Sequence, residues 1–265
     1  MSKLRVWAPG VHGVGGAPWP GVQYFSTART GGVSKAPWDS LNLGLHVHDN
    51  PSAVQQNRAR LQVALPGPVQ WLNQVHGTEV WCAPDPEAAD PPAAVPPVSI
   101  LGPCADAVVT RQRGLPLAIL TADCLPVVLA DADGTVLGVA HAGWRGLVAG
   151  VLENTLAAMR RRAPDAHGWR AWLGPAIGPR AFEVGPEVRE AFLRLDSQLA
   201  PCFMPSVRPG HWLADLAGLA SARLQCAGVA HIEASGECTY QQTDRYFSYR
   251  RQKQTGRQAT VAWLV

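Results

Sequence analysis

The stretch "TADCLPVVLADADGTVLGVAHAGWRG" (121–146) decides the fold, because it contains two apolar runs joined by a short polar turn. The letters "DADG" are typical of a hairpin turn, since Asp accepts local backbone hydrogen bonds and Gly adopts positive φ without a Cβ penalty. Cys124 and His141 stand at the outer ends of the two runs. The stretch therefore predicts a β-hairpin whose open end carries both side chains.

Two registers of this hairpin are compatible with the turn. A register centred on Ala132 and Asp133 places the cysteine directly opposite the histidine, with Cβ atoms about 5 Å apart. A register centred on Asp133 and Gly134 opposes the histidine to Pro126, which lies on the same strand face as the cysteine because side chains alternate with period 2. Both registers bring the thiol and the imidazole together.

Spacing alone leaves two interpretations of the pair open. The first is a buried thiol beside a hydrogen-bonded core histidine, since free cysteine commonly behaves as a small buried hydrophobe. The second is a functional pocket, because Gly143 and Gly146 allow backbone to approach a ligand and the following helix directs its first N–H groups toward the same region. The six cysteines of the 265-residue chain include no CxxC pair, and they are too few for a disulfide scaffold.

The sequence on either side predicts an α+β fold. Helical spacing and caps predict helices at 50–65, 147–163, 186–195 and 215–228, and apolar runs predict strands at 105–110, 115–120, 125–131, 135–143, 170–178 and 260–265. Strand character at 69–83 places His76 where a strand meets a turn, and the Pro- and Ala-rich segment 83–103 predicts a surface loop. We expect one domain over 1–265, with mixed β-sheets flanked by helices and the site at the end of the hairpin.

Composition limits the classes of function. The chain has 265 residues, of which 47% are hydrophobic and 16% charged, and its net charge is +3. No lysine-rich block gives the footprint of a nucleic-acid or membrane partner. The first ten residues lack the apolar core of a secretory signal, and no run of 18 apolar residues predicts a membrane span. A small anionic ligand fits this charge, and a cytoplasmic location is expected.

Several motifs in order carry a resemblance to a known family. They are "QVHG" (74–77), "ADAVVT" (105–110), "TADCLPVVL" (121–129), "HAGWRG" (141–146), "LGPAIGP" (173–179) and the C-terminal stretch beginning "CTYQQTDRYFSYRR" at 238. The chain, from about residue 25 to its end, resembles the bacterial laccase-domain proteins. These proteins were long labelled polyphenol oxidases and are now regarded as purine nucleoside phosphorylases with adenosine deaminase activity.

The resemblance implies a metal site. The family holds zinc through one cysteine and two histidines, and the matching positions are His76, Cys124 and His141, which are also the implied catalytic residues. Thiolate and imidazole are good zinc ligands, and three protein ligands leave a fourth position open, as in catalytic zinc sites. Copper is a possible substitute for zinc in such a site.

The resemblance also implies a purine nucleoside and inorganic phosphate as substrates of a protein that we expect to be a monomer. Arg29, beside the pair Gly31–Gly32, and Asn42 are candidates for phosphate binding, since glycine pairs can form an anion-binding nest. Gln74 and Arg145 are further candidates for substrate contacts. The competing interpretation of Arg29 and the neighbouring glycine pair is a Gly-rich turn with a solvated arginine.

Arg250 is a weaker candidate for a phosphate contact. Cys238, in "ECTY", either lines the pocket near Cys124 or serves only in packing.

Other functions use some of the same residues. A multicopper oxidase needs several copper centres, usually with repeated HxH pairs and a His-Cys-His stretch, whereas this chain has eight histidines, one HxH at 46–48 and no His-Cys-His. A cysteine hydrolase or amidase, acting for example on a cell-wall precursor, would use Cys124 as nucleophile and a histidine as base. "HAG" lacks the glutamate of the cytidine-deaminase motif. A binding module without catalysis has no need of the Cys/His group.

Overall fold

The computed structural model describes residues 4–84 and 102–265, and these residues form fourteen strands, five α-helices and two short 3-10 helices. Most of the loop predicted at 83–103 lies outside the described residues. The strands are β1 (Arg5–Ala8), β2 (Val11–Val14), β3 (Val22–Thr27), β4 (Val80–Cys82), β5 (Ala107–Thr110), β6 (Leu117–Thr121), β7 (Leu125–Ala130), β8 (Leu137–Ala142), β9 (Arg170–Leu173), β10 (Glu183–Val184), β11 (Phe203–Pro205), β12 (Trp212–Ala214), β13 (His231–Ala234) and β14 (Gln258–Leu264). The helices are α1 (Pro51–Gln62), α2 (Trp144–Ala149), α3 (Val151–Arg162), α4 (Pro186–Leu195) and α5 (Leu216–Cys226), with 3-10 turns at Leu45–Val47 and Ser197–Cys202.

The strands form three sheets. The largest has the order β13-β9-β7-β8-β5-β4, with parallel pairs at both edges and antiparallel pairs between them. A five-stranded antiparallel sheet has the order β1-β2-β3-β14-β6, and a small sheet has the order β10-β12-β11. The prediction of an α+β fold with mixed sheets and flanking helices is confirmed.

The two larger sheets pack face to face, with helices outside. Val128 and Val139 of the central hairpin share one core cluster with Ile119 of β6 in the five-stranded sheet. The opposite face of the hairpin contributes to a second cluster with residues of α3 and α5. Leu61 of α1 packs on the outer face of the five-stranded sheet. Both faces of β7 and β8 are therefore buried, which explains their near-continuous apolar sequence.

The hairpin of β7 and β8 has the second of the two predicted registers. His141 pairs with Pro126, so the register centred on Ala132 and Asp133 is wrong. The loop between the strands closes around the side chain of Asp131, which accepts N–H hydrogen bonds from Thr135 and Val136 at 2.7 and 3.1 Å. Gly134, at φ 64°, supplies the left-handed residue that this wider loop requires.

The helix predicted at 147–163 is interrupted. Gly150, at φ 99°, ends α2 and begins α3, so the apolar stripe runs over two helices instead of one. The helical region also begins earlier than the predicted residue 147, because α2 begins at Trp144, directly after the hairpin. In the described part of the chain, these and the other helices are all too short or too polar to cross a bilayer.

The segment predicted to have strand character at 69–83 is mostly irregular. Only Val80–Cys82 forms a strand, and two isolated bridges join Gln70 to Leu117 and Asn73 to Cys104. Between these contacts the backbone N–H groups point to a buried carboxylate instead of a neighbouring strand. The reason is the left-handed turn around His76 described below.

Replacing Leu152 by Ala should be strongly destabilising. The side chain is fully buried between α3 and the six-stranded sheet, and removing such a side chain costs about 2–5 kcal/mol. Urea unfolding followed by circular dichroism gives the change. Leu195→Ala is the matched control, because this leucine is 53% exposed, and an equal loss in both variants would contradict the assigned core.

Candidate metal centre

Three side chains from separate parts of the chain meet at the open end of the hairpin. His76, Cys124 and His141 bring one ligand atom each within 4.8 Å of the others. The thiol Sγ lies 3.9 Å from Nε2 of His76, and the two imidazole rings are 4.7 Å apart and nearly perpendicular. Cys124 immediately precedes β7 and His141 lies in β8, so the predicted meeting at one end of the hairpin is confirmed.

A buried carboxylate holds the loop that carries His76. The Asp106 side chain is fully buried, and it accepts N–H hydrogen bonds from Val75, His76 and Gly77 at 3.1, 2.9 and 2.6 Å. His76 itself has φ 62°, a left-handed conformation that is uncommon outside glycine. Three converging N–H donors offset the cost of this conformation, and the turn points the imidazole toward the thiol.

The same carboxylate orients the second histidine. Nδ1 of His141 donates to Oδ1 of Asp106 at 2.8 Å, and the His141 backbone N–H donates to the carbonyl oxygen of Asp106 at 2.7 Å. The ring therefore presents Nε2 to the site. A histidine that binds a metal ion commonly has such a carboxylate partner on its other nitrogen.

The charges within the site favour the forms that bind metal ions. Burial raises the pKa of the Cys124 thiol, but the charge of His141 and hydrogen bonds from His141 and His76 outweigh burial and lower it to about 6. Burial lowers the pKa of His141, yet the Cys124 thiolate and Asp106 raise it to about 9. Burial also acts against the Asp106 carboxylate, but the hydrogen bonds from His141 and Gly77 keep its pKa below the usual range. The cysteine is thus a thiolate near neutral pH, the form that a metal ion requires.

Gly143 leaves room for these ligands. A Cβ atom at this position would lie 3.0 Å from the Cys124 sulfur and 3.3 Å from Cδ2 of His76. The glycine precedes α2 with extended backbone angles, so close packing, and not a special φ, excludes a larger residue.

Gly143→Ala should therefore displace the thiol and the His76 ring and lower metal affinity about tenfold, within the range found when ligand orientation is disturbed. A competition titration with a fluorescent zinc chelator measures this affinity. Gly178→Ala is the matched control, because its methyl group would crowd Cys238, at 3.1 Å from its sulfur, instead of a candidate ligand. Unchanged affinity in Gly143→Ala would contradict the described packing.

A pocket opens beside the thiol. Its lining combines the apolar side chains of Trp144, Ile177 and Phe182 with the more polar Tyr249 and Arg250. Apolar walls with a few polar groups are typical of small-molecule sites. Because His76 is exposed, the site is also open on its histidine side.

Asp123 attaches the C-terminal motif to the hairpin. Its φ is 94°, and its side chain is buried. One carboxylate oxygen accepts the Thr239 hydroxyl and the other accepts the Arg250 N–H, both at 2.6 Å, while its carbonyl accepts the Ile177 N–H at 2.9 Å. The pocket walls are thereby fixed next to Cys124.

Gln74 and Asn42 make their hydrogen bonds within the chain. The Gln74 amide pairs with the backbone of Leu120 through two hydrogen bonds of 2.8 Å, and so joins the His76 loop to β6. The Asn42 side chain is fully buried, donates to Asp49 at 2.9 Å and accepts the Arg257 N–H at 2.9 Å. Gln74 thus holds the loop that carries His76, whereas Asn42 joins the segments of Asp49 and Arg257.

The candidate arginines differ in their surroundings. Arg29 forms a salt bridge with Asp39 at 3.1 Å and also donates to the carbonyl oxygens of Asp39 and Thr243. Arg145 is exposed and stacks on the neighbouring Trp144 ring. Arg250, which lines the pocket, donates through Nη1 to a backbone carbonyl at 2.8 Å.

The predicted glycine pair serves close backbone packing. A Cβ at Gly31 would lie 1.7 Å from the Gly10 carbonyl oxygen, and one at Gly32 would lie 2.0 Å from the Ser40 carbonyl oxygen. The Gly32 N–H is also occupied, by the Ser40 hydroxyl at 3.0 Å. Cys238 lies in a neighbouring pocket, where its sulfur accepts the Gly178 N–H at 3.2 Å.

Sequence reasoning missed Asp106. A signal was present, because "ADAVVT" places one acidic residue directly before a fully buried strand, where an unpaired carboxylate would be costly. Asking which carboxylate orients each metal-binding histidine would have selected this position.

Comparison with known proteins identifies relatives of this chain. A curated Escherichia coli protein named purine nucleoside phosphorylase YfiH is 46% identical over 271 residues, which cover 100% of both chains. A Pseudomonas aeruginosa relative with the same activity in its name is 45% identical over 93% of this chain and 96% of its own. A crystal structure of a Neisseria meningitidis protein superposes with a TM-score of 0.82 at 42% identity, covering 96% of this chain and 99% of that one.

The family model described as multi-copper polyphenol oxidoreductase laccase matches residues 23–265. The predicted resemblance is thereby confirmed. This chain belongs to the laccase-like family in which these bacterial relatives are named purine nucleoside phosphorylases.

Proposed function

We propose that this protein is a zinc-dependent purine nucleoside phosphorylase that also deaminates adenosine. Inosine, adenosine, guanosine or methylthioadenosine would be cleaved by phosphate to the free base and the ribose (or methylthioribose) 1-phosphate. The observation that carries the proposal is the His76, Cys124 and His141 group beside an apolar pocket. The names of the E. coli and P. aeruginosa relatives support the reaction class.

The donor set fits zinc. Two ligands at about 2.0 and 2.3 Å from a tetrahedral zinc ion lie about 3.5 Å apart, close to the 3.9 Å between the Cys124 sulfur and Nε2 of His76. One thiolate, two imidazoles and an open side suit a catalytic site. When bound, the metal would supply a Lewis acid that makes water nucleophilic near neutral pH. The same donors accept copper, so copper is the expected substitute.

The protein side chains would position the substrates. The apolar pocket walls hold the purine ring, and Asp106 keeps His141 in one orientation throughout the reaction. In phosphorolysis, an oxygen of hydrogen phosphate forms a bond to C1′ as the C1′–N9 bond breaks, and the departing base takes up the proton that the phosphate loses. Cationic groups near the phosphate would stabilise the charge that moves during this step. Arg29, Asn42, Gln74 and Arg145 remain the proposed substrate contacts from the family resemblance.

A cysteine hydrolase is the second candidate. The lowered pKa of Cys124, caused by His141 and His76 against the effect of burial, supports a nucleophilic thiolate. A multicopper oxidase has less support. In residues 4–84 and 102–265, the three-residue group at the hairpin is the one set of His, Cys and carboxylate side chains close enough to hold an ion, and oxidases of that class need several copper centres.

Product analysis separates these functions. Protein of measured metal content is incubated with inosine or adenosine, with and without phosphate, and the bases and sugars are separated by chromatography. We expect phosphate-dependent release of hypoxanthine or adenine together with ribose 1-phosphate, and conversion of adenosine to inosine without phosphate. If zinc-loaded protein releases no base from any purine nucleoside, the proposal is wrong.

A further inference from the structure

Arg257 is a fixed cation that forms no salt bridge with a carboxylate in the described part of the chain. Its backbone N–H donates to Oδ1 of Asn42 at 2.9 Å. Its Nη1 donates to the carbonyl oxygens of Thr255 and Gly256 at 3.1 and 3.0 Å. Burial lowers its pKa, although Cys124 and Asp123 act in the opposite direction. A half-buried guanidinium with carbonyl partners alone is a site suited to an anion.

Gly44 fixes the direction of this side chain. A Cβ atom at Gly44 would lie 2.9 Å from Cγ of Arg257 and 3.2 Å from its Cβ, so the arginine stem packs directly on the glycine backbone. Asn42 holds both segments, because its Oδ1 accepts N–H hydrogen bonds from Gly44 at 3.0 Å and from Arg257. The guanidinium is therefore held by its backbone and its stem before any ligand arrives.

His46 lies in the 3-10 turn Leu45–Val47, two residues after Gly44, on which the Arg257 stem packs. Much of the residue is exposed, but burial of the rest of the ring, followed by the charges of Arg257 and Arg58, lowers its pKa to about 4. His46 is thus a neutral hydrogen-bonding group at pH 7, surrounded by positive charge. Arg58 also has no salt-bridge partner among the described residues, and it stacks on Trp71 with 4.0 Å between guanidinium carbon and ring centre.

We propose that Arg257 and His46 bind the attacking inorganic phosphate beside the metal centre. This inference rests on the proposed phosphorylase function. Arg257 directly precedes Gln258, which pairs in the five-stranded sheet with Thr121, three residues before Cys124. An oxyanion held by Arg257 would therefore lie at the end of the sheet from which the Cys124 segment leads. Arg29, the candidate from the sequence, already has the Asp39 carboxylate as its counter-ion. Asn42 then acts as a positioning residue, because it orients the Arg257 backbone.

The test compares arginine variants in three measurements on zinc-loaded protein. These are the KM for phosphate and the kcat in inosine phosphorolysis, the rate of phosphate-independent adenosine deamination, and inorganic phosphate binding by calorimetry. For Arg257→Gln we expect the KM for phosphate to rise about 10–100-fold, as for loss of a charge-assisted hydrogen bond, with binding lost from the calorimetric titration. Deamination should fall far less than phosphorolysis, because it consumes no phosphate.

Other variants complete the comparison. Gly44→Ala should also raise the KM for phosphate, because the added methyl group would push the Arg257 stem aside. This variant replaces Arg257→Gln in the test if Arg257→Gln does not fold. His46→Gln should raise the KM for phosphate less than Arg257→Gln does, because it removes a neutral hydrogen-bonding group and not a charge. Arg194→Gln is the matched control, an exposed arginine paired with Glu190 on α4, and should leave all three measurements unchanged.

The outcomes are distinct. The inference would be overturned if the KM for phosphate were unchanged in Arg257→Gln and Gly44→Ala but raised in Arg29→Gln. Arg29 would then be the residue that binds phosphate. If the parent protein forms no ribose 1-phosphate, the proposed function fails. Calorimetric phosphate binding that depends on Arg257 would then still support an oxyanion site, and binding independent of Arg257 would reject it.

Discussion

Cys124→Ala should abolish both metal retention and catalysis. The thiolate is one of three candidate ligands, and the two remaining imidazoles hold zinc far more weakly than a Cys/His₂ set. We expect purified variant protein to contain almost no zinc by elemental analysis, and to release no base and form no inosine from adenosine. The fold should persist, because the cysteine lies at the open end of a hairpin whose core is elsewhere.

The comparison variant is Cys238→Ala, which removes another partly buried thiol, in the neighbouring pocket. This variant should keep its zinc content. If Cys124→Ala keeps stoichiometric zinc but loses activity, the thiolate acts as a nucleophile and not as a metal ligand. That result would favour the cysteine-hydrolase function over the phosphorylase. Retention of both zinc and activity would contradict the site as a whole.

Asp106→Asn should reduce metal affinity about 10–100-fold, the range for loss of a carboxylate that orients a metal-binding histidine. The substitution keeps the shape of the side chain but removes the charge, and one of its two oxygens becomes an N–H donor facing the donors of Val75, His76 and Gly77. Both histidines then lose their fixed orientation. Chelator competition gives the affinity, and urea unfolding gives the accompanying loss of stability.

Asp131→Asn is the control for this substitution. Asp131 is equally buried and also accepts two backbone N–H groups, but it lies in the loop at the closed end of the hairpin. We expect a loss of stability without a change in metal affinity. Equal effects of both variants on affinity would show that Asp106 acts through general stability and not through the histidines.

The sequence was sufficient for the hairpin because local chemistry decides it. Two apolar runs and "DADG" placed Cys124 and His141 at one end, although the choice between two registers depended on how Asp131 closes the loop. The break at Gly150 was harder to predict, since the apolar spacing of 147–163 continues across it.

The third ligand was beyond reasoning from spacing. His76 joins the site through a left-handed turn that a distant carboxylate stabilises, and residues separated this far in sequence leave no periodic signal. Family resemblance supplied its position. Arg257 was missed for a similar reason, because its surroundings come from Asn42 and Gly44, more than two hundred residues earlier in the chain.

The four hydrogen bonds accepted by Asp106 have a consequence for metal exchange. They fix the His76 turn and the His141 ring with protein groups alone, so the ligands are in place before an ion arrives. In small zinc domains the ion is the main source of folding energy, whereas we expect this chain to keep its fold without the ion. We therefore expect the metal found in the purified protein, zinc or copper, to follow the supply of metal ions in the cells that produce it.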